Sequence, residues 1–304
     1  MLSSSNQDIP SKYIHPFTDF GFKKIFGEEA NKDLLIDFLN QLLPIKDQIK
    51  TLNYKTTEHL PNNITDRKAV FDLYCENEKG EKFIVELQRM RQRYFKDRSI
   101  YYSTFPIQEQ AIKGNIERQA WDYQLKSVYV ISLMDFSFDN HFDLLRHVKL
   151  METSTKEIFY EKLTYVYLEM PKFKKNENEL VTHFDKWLYL LNNLNSFLEQ
   201  PKVFQEAIFR RVFKIAEYTG LMKEDKKLYH DSLKTYRDYM NTLDYLQEES
   251  FNDGFKKGNK EGLEEGKKTK AIEVAKNALK MGLSKEQVSK LSGLSIEEVA
   301  TLSI

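Results

Sequence analysis

The 304-residue chain holds 46 Lys plus Arg against 46 Asp plus Glu, so its net charge of zero gives no bulk attraction to nucleic acid or to an anionic membrane. With 41% apolar and 30% charged residues it reads as globular, long enough for one or two domains with a sizeable core. A single cysteine, Cys75, excludes an internal disulfide and a cysteine-based zinc site, and predicts a reducing, cytoplasmic setting. Apolar runs such as VYVISLM are too short for a membrane span, and MLSSSNQDIPSKYIHP lacks an apolar signal core, so no membrane partner is expected.

In chain order, FTDFGFKKIFG and NKDLLIDFLNQLLP place apolar residues at helical spacing, which predicts two short helices or one interrupted helix ending before Pro44. IKTLNYKTTEH at 49–59 is strand-like and PNNITDRK is a loop. AVFDLYCENEKGEKFIVELQ at 69–88 reads as a hairpin turning at Asn77-Glu78-Lys79-Gly80. Pairing 71 with 87, 73 with 85 and 75 with 83 gathers Phe71, Leu73, Cys75, Phe83, Val85 and Leu87 on one face. The same register sets Asp72 across from Glu86, with Gln88 two residues on. Like charges at that spacing repel unless a cation lies between them, so the pair is either a solvated face or a divalent-metal site of the oxygen-rich kind Mg²⁺ prefers.

A helical segment, RMRQRYFKDRSIYYSTFPIQEQAIKG, follows the hairpin. Arg89, Arg91, Arg93, Lys96 and Arg98, interleaved with Tyr94, Phe95, Tyr101 and Tyr102, form either a solvated basic helix face or a surface for the phosphates and bases of a polyanion. LKSVYVISLMDF at 125–136 predicts a buried strand and LTYVYLEM at 163–170 another. Together these elements make an α/β core over residues 14–175. Residues 176–250 turn helical, with THFDKWLYLLNNLNSFLEQ and QEAIFRRVFKIAEY the clearest amphipathic runs. Over 251–268, Gly254, Gly258, Gly262 and Gly266 recur every four residues, as a helix packed along a glycine stripe or as a charged linker. In 269–304, GLSKEQV and GLSIEEV each carry a capping-box Ser, predicting three short helices in a helix-turn-helix-like module that touches DNA or serves packing and dimerisation. The six histidines show no metal-ligand spacing, and Gln119 and Tyr123 stand at a loose Q-x-x-x-Y spacing.

An Asp on one strand, then Glu-x-Lys on the next, then a helix is the core pattern of PD-(D/E)XK nucleases. Asp72 followed by Glu86-Leu87-Gln88 resembles it, with Gln where Lys is usual. With FTDFGFKKIFG, RSIYYSTFPIQEQAIKG, LKSVYVISLMDF, YLEMPKF, the glycine-spaced stretch and the GLS tail, the chain from residue 14 to about 300 closely resembles the Rpn family of recombination-promoting nucleases and transposases. The resemblance implies a restriction-endonuclease-like α/β core, a mixed central sheet flanked by helices, and a helical C-terminal region. It further implies a bacterial DNA endonuclease that promotes recombination, with Mg²⁺, or Mn²⁺ or Ca²⁺, as cofactor and DNA as partner. Carried over by position, Asp72 and Glu86 are the metal ligands, the Leu87 carbonyl adds a third, and Gln88 completes the catalytic motif. Asp19 matches an extra acid found in some members, or else caps the helix beginning at Phe20. Gln88 is neutral and only hydrogen-bonds, so charge beside the attacking water would come from Lys82, Lys96 or Arg98. The alternative to an active enzyme is a catalytically weak or inactive DNA-binding or assembly protein that keeps the fold and uses its C-terminal region, including for self-association.

Overall fold

The computed structural model describes residues 11–44, 48–59, 69–110, 124–139 and 141–302. The PNNITDRK loop and the Gln119/Tyr123 pair lie outside them. The chain forms two compact units, one up to Tyr236 and one from Arg237.

The first unit opens with α1 (Asp19–Phe26), whose N-cap is Thr18: its Oγ1 accepts the Gly21 amide at 3.0 Å. Gly21 is required here, because a Cβ would stand 2.1 Å from the His15 carbonyl oxygen. Helix α2 (Lys32–Leu42) follows, then β1 (Leu52–Tyr54), β2 (Glu58–His59), β3 (Ala69–Val70), β4 (Leu73–Asn77) and β5 (Lys82–Gln88). Next come α3 (Phe95–Glu109), β6 (Val128–Met134), β7 (Leu145–Met151), β8 (Ile158–Glu169), α4 (His183–Asn193) and α5 (Ala207–Ala216), before α6 (Lys223–Lys280) leads into the second unit. The main sheet is six-stranded and mixed, in the order β1-β4-β5-β6-β8-β7; β5, β6 and β8 run parallel at its centre. Every residue of β5 and of β6 is buried, as expected for parallel strands covered on both faces.

Period-two alternation divides the core. Leu73, Cys75, Phe83, Val85 and Leu87 join α1, α2, α4 and α5 on one face. Tyr74, Ile84, Val130, Tyr165 and Tyr167 meet α3 on the other. The hairpin register is Leu73 with Val85 and Cys75 with Phe83, as the sequence predicts. The Asn77 side chain sets the turn, its Oδ1 accepting from the Lys79 and Glu81 amides at 3.0 Å each.

The sheet differs from expectation at three strands. β4 starts at Leu73, and Phe71 lies outside the ladder in the α3-side core, its ring 5.2 Å from that of Tyr102, because the chain bends at Phe71-Asp72. β7 went unpredicted: LRHVKLM is an edge strand without a buried residue, and its polar composition hides it. β8 starts at Ile158, five residues before the strand read at 163, since its first half is exposed against β7.

In the second unit α6 carries all four period-four glycines inside the helix, with nothing within 4 Å of where their Cβ atoms would stand. The helix expected to open at 269 is therefore the last part of α6. It packs with α7 (Lys285–Ser292) and α8 (Ile296–Ala300) around Ala275, Ala278, Val288, Leu294 and Val299. Both GLS boxes form as read: Ser284 Oγ accepts the Gln287 amide at 3.3 Å and Ser295 Oγ the Glu298 amide at 3.1 Å. Gly282 and Gly293 end the preceding helices at φ of 83° and 75°, where L side chains are strained.

Candidate active site

The bend that removes Phe71 from the ladder builds the site. Past the Leu73–Val85 pair, β5 continues without its backbone partner, and the Asp72 side chain takes the place of one: Oδ2 accepts the Leu87 amide at 2.7 Å. Because N–H and C=O of one strand residue point to the same side, the Leu87 carbonyl is directed toward the Asp72 edge. The Gln88 carbonyl points the other way and accepts the Asp135 amide at 2.9 Å.

Glu86 is 3% exposed and reaches the same edge, Oε1 accepting the Asp72 amide at 3.3 Å and Oε2 the Gln88 Nε2 at 3.1 Å. Two carboxylates thus converge at the end of β5, half-fixed by backbone and amide donors. Burial, first, and then the charge of the other acids hold both carboxyls above the ordinary range: Asp72 and Asp19 contribute to Glu86 and Asp72 respectively. A half-buried and a buried acid with a carbonyl form an all-oxygen donor set, and pairing one or two carboxylates with water and phosphate is how Mg²⁺ is commonly held. The residues therefore fit a divalent ion. Among the described residues no group of three or more His, Cys, Asp or Glu side chains forms a metal site.

The remaining residues are distributed around this pair. Arg98, on α3, places Nη2 3.8 Å from Glu86 Oε2, donates to Gln92 at 3.0 Å, and covers the Tyr102 ring at 4.8 Å. Arg89 lies near enough to favour the charged form of Asp72. Arg91 donates to the Phe138 carbonyl at 3.3 Å, Arg93 stacks on Tyr94 at 5.5 Å, and Lys96 stands 5.5 Å over the Phe138 ring. Thus Arg89, Arg91 and Arg93 belong to the β5–α3 connection and only Lys96 and Arg98 to the helix, so the basic run is not one helix face. Asp19 does not cap α1, since Thr18 does; it is half-exposed and pairs with Lys23 at 3.1 Å.

Lys82 is withdrawn from the site by salt bridges to Glu76 and, at 3.8 Å, to Glu109. The cation that sequence reasoning missed is Lys23. Asp19, Lys23 and Gly27 follow one another at four-residue spacing on α1, and a Cβ on Gly27 would stand 3.0 Å from the Leu73 side chain, directly beside Asp72. Lys23 accordingly favours the charged forms of both Asp72 and Glu86. Its only sequence signal is that helical spacing, forty-nine residues before the acid it serves.

A mixed sheet with an Asp at the bend before one strand and Glu-x-Gln ending the next, followed by a basic connection into a helix, defines a PD-(D/E)XK nuclease fold. Residues 16–246 match the family described as PD-(D/E)XK nuclease family transposase, and residues 268–304 match the C-terminal HTH domain of the Rpn/YhgA-like nuclease family. The chain belongs to this nuclease family and carries its helix-turn-helix domain. No curated protein and no solved structure matches it. Among the described residues no helix is long and apolar enough to cross a membrane.

Proposed function

We propose that the protein is a divalent-metal-dependent endonuclease that hydrolyses DNA phosphodiester bonds in the cytoplasm and so promotes recombination. The observation that carries this reading is the convergence of half-buried Asp72 and buried Glu86 at the end of β5 that β4 leaves unpaired. Asp72, Glu86 and the Leu87 carbonyl would hold Mg²⁺, or Mn²⁺ in its place. When bound, the ion supplies Lewis acidity toward a phosphate oxygen and acidifies a water molecule.

The chain's own groups do the rest. Gln88, fixed by its bond to Glu86, presents its amide to a water at the acids and orients it without adding charge. Lys23 and Arg98 flank the pair and offset the negative charge that gathers as water attacks phosphorus. The arginines of the β5–α3 connection hold the flanking phosphates, and the helix-turn-helix unit adds duplex contacts.

Purified protein is expected to nick supercoiled plasmid with Mg²⁺ or Mn²⁺ and to stop on addition of EDTA. Absence of cleavage with Mg²⁺, Mn²⁺ and Ca²⁺ alike, with DNA binding retained, would favour instead the assembly-protein reading that Gln88 in the lysine position invites. Lys23→Ala is expected to lower the single-turnover cleavage rate about 10-fold or more, with Lys23→Arg recovering most of it, since the group acts through its charge. A rate within twofold of wild type would remove Lys23 from the mechanism.

A further inference from the structure

The β5–α3 connection and the first turns of α3 enclose a cleft of about 550 Å³, lined by Tyr94, Tyr101, Tyr102, Arg93, Arg98 and Asp97 among others. Its size is within the range of about 300–1,000 Å³ in which small organic groups are bound. Three of its walls are tyrosines, and the core does not account for all of them. Tyr102 packs on Phe71 and Tyr101 edge-on against Phe105 at 5.1 Å, but Tyr94 and Tyr101 remain 65% and 41% exposed. The guanidinium of Arg93 lies over Tyr94 and that of Arg98 over Tyr102, so flat cationic and aromatic surfaces stand together.

The chemistry of the cleft separates base from phosphate. Asp97, whose carboxylate only accepts hydrogen bonds, would repel a phosphate inside it and would welcome the amino or imino edge of a base. In a continuous duplex a base shows its edges but not its π faces, whereas an unstacked base offers both faces to aromatic rings and guanidinium planes. Arg98 connects the two places, since it lines the cleft and stands 3.8 Å from Glu86. A nucleotide held there adjoins the phosphate at the acids.

We propose that this cleft takes one unpaired nucleobase of the DNA strand next to the scissile phosphate, so that the substrate is DNA with an unpaired or extruded nucleotide at the cut. The proposal rests on the nuclease reading for its consequence, and its test has one arm that does not. In the first arm the full-length protein cleaves a plain duplex and the same duplex with a short mismatched bubble. The bubble is expected to be cut at least 10-fold faster, and Tyr94→Ala/Tyr101→Ala is expected to abolish that preference, so that the variant cuts bubble and duplex at rates within twofold of each other. Tyr94→Phe/Tyr101→Phe, which keeps the rings, should keep the preference.

In the second arm, fluorescence anisotropy compares a labelled single strand with its duplex in the presence of EDTA. Loss of the two rings is expected to weaken single-strand binding by about 5-fold to 100-fold, the range of a base–aromatic stack, and duplex binding by less than twofold. Equal cutting of bubble and duplex, or a preference untouched in the double alanine variant, overturns the proposal. Should wild type cut neither substrate, the nuclease reading fails, and the binding arm decides the cleft by itself: unchanged single-strand affinity sinks it.

Discussion

Asp72→Asn and Glu86→Gln are each expected to abolish cleavage and, at neutral pH, to make the protein more stable. Loss of a metal ligand forfeits several kcal/mol of charge stabilisation in the transition state, on the order of 10²–10⁴-fold in rate at about 1.4 kcal/mol per decade. The stability gain has a different origin. Glu86 is almost fully buried and faces Asp72, and its ion pair among the described residues is the long one to Arg98 at 3.8 Å. The amide replacements keep the bonds and lose the repulsion. In Asp72→Asn the remaining carbonyl oxygen still accepts the Leu87 amide, and in Glu86→Gln the Gln88 amide turns over to pair with the new one.

The gain should be about 1–2 kcal/mol, or roughly 2–8 °C in Tm for a unit of this size. Its pH dependence follows from the raised carboxyl pKa values. The folded chain binds these protons more readily than the unfolded one, so the stability they add is present at low pH and is lost as pH rises through the folded-state values. Both variants should flatten that slope. Millimolar Mg²⁺ should raise the Tm of wild type and leave that of either variant unmoved. A fall in Tm for both variants, or equal Mg²⁺ stabilisation in all three proteins, would refute the paired-acid account.

Glu169→Ala is expected to destabilise the first unit by about 3–5 kcal/mol, the cost of breaking a buried ion pair. Glu169 shares a sheet row with Gln88 and Met134, two strands and roughly 10 Å from the site. Its environment is nevertheless the reverse of that of Glu86. It is fully buried, pairs with Arg146 at 3.0 Å and Lys172 at 2.9 Å, and accepts the Phe138 amide at 3.2 Å. Arg146 in turn holds Asp139 at 2.6 Å and covers the Phe138 ring at 4.7 Å. Removing the carboxylate leaves the mostly buried Arg146 and Lys172 with the half-exposed Asp139 as their shared partner among the described residues. Thermal or urea unfolding reads this directly, and a loss below about 1 kcal/mol would show that the cluster is relaxed by solvent. Where enough variant remains folded, its cleavage per folded molecule should match wild type, which separates a structural acid from a catalytic one.

The sheet centre and the pairing of the two acids were legible because local rules decide them. Asn77 and Gly80 set the turn, and period two then carries the register outward to Leu73 and Val85. The tail was legible for the same reason, since each Ser and the Gln or Glu three residues later sit within one turn. Phe71 was assigned to the wrong face because alternation says nothing about a bend, and this bend is what frees Asp72 from the ladder. β7 was hidden by its exposure. Lys23 escaped because its relation to Asp72 exists only through the packing of α1 against β4, and the extent of α6 because its glycines favour neither reading.

Asp19, Lys23, Asp72, Glu86, Gln88 and Arg98 all precede residue 100, yet β5 is a central strand only once β6 lies alongside it and β8 alongside β6. About 80 residues separate Gln88 from Glu169, which a ribosome adds in about 4–16 s at about 5–20 residues per second. For that interval the nascent chain carries both acids on the β4–β5 hairpin without the neighbouring strands that complete their burial, so the proposed site is finished by β6 and β8 rather than by the last residue assigned to it.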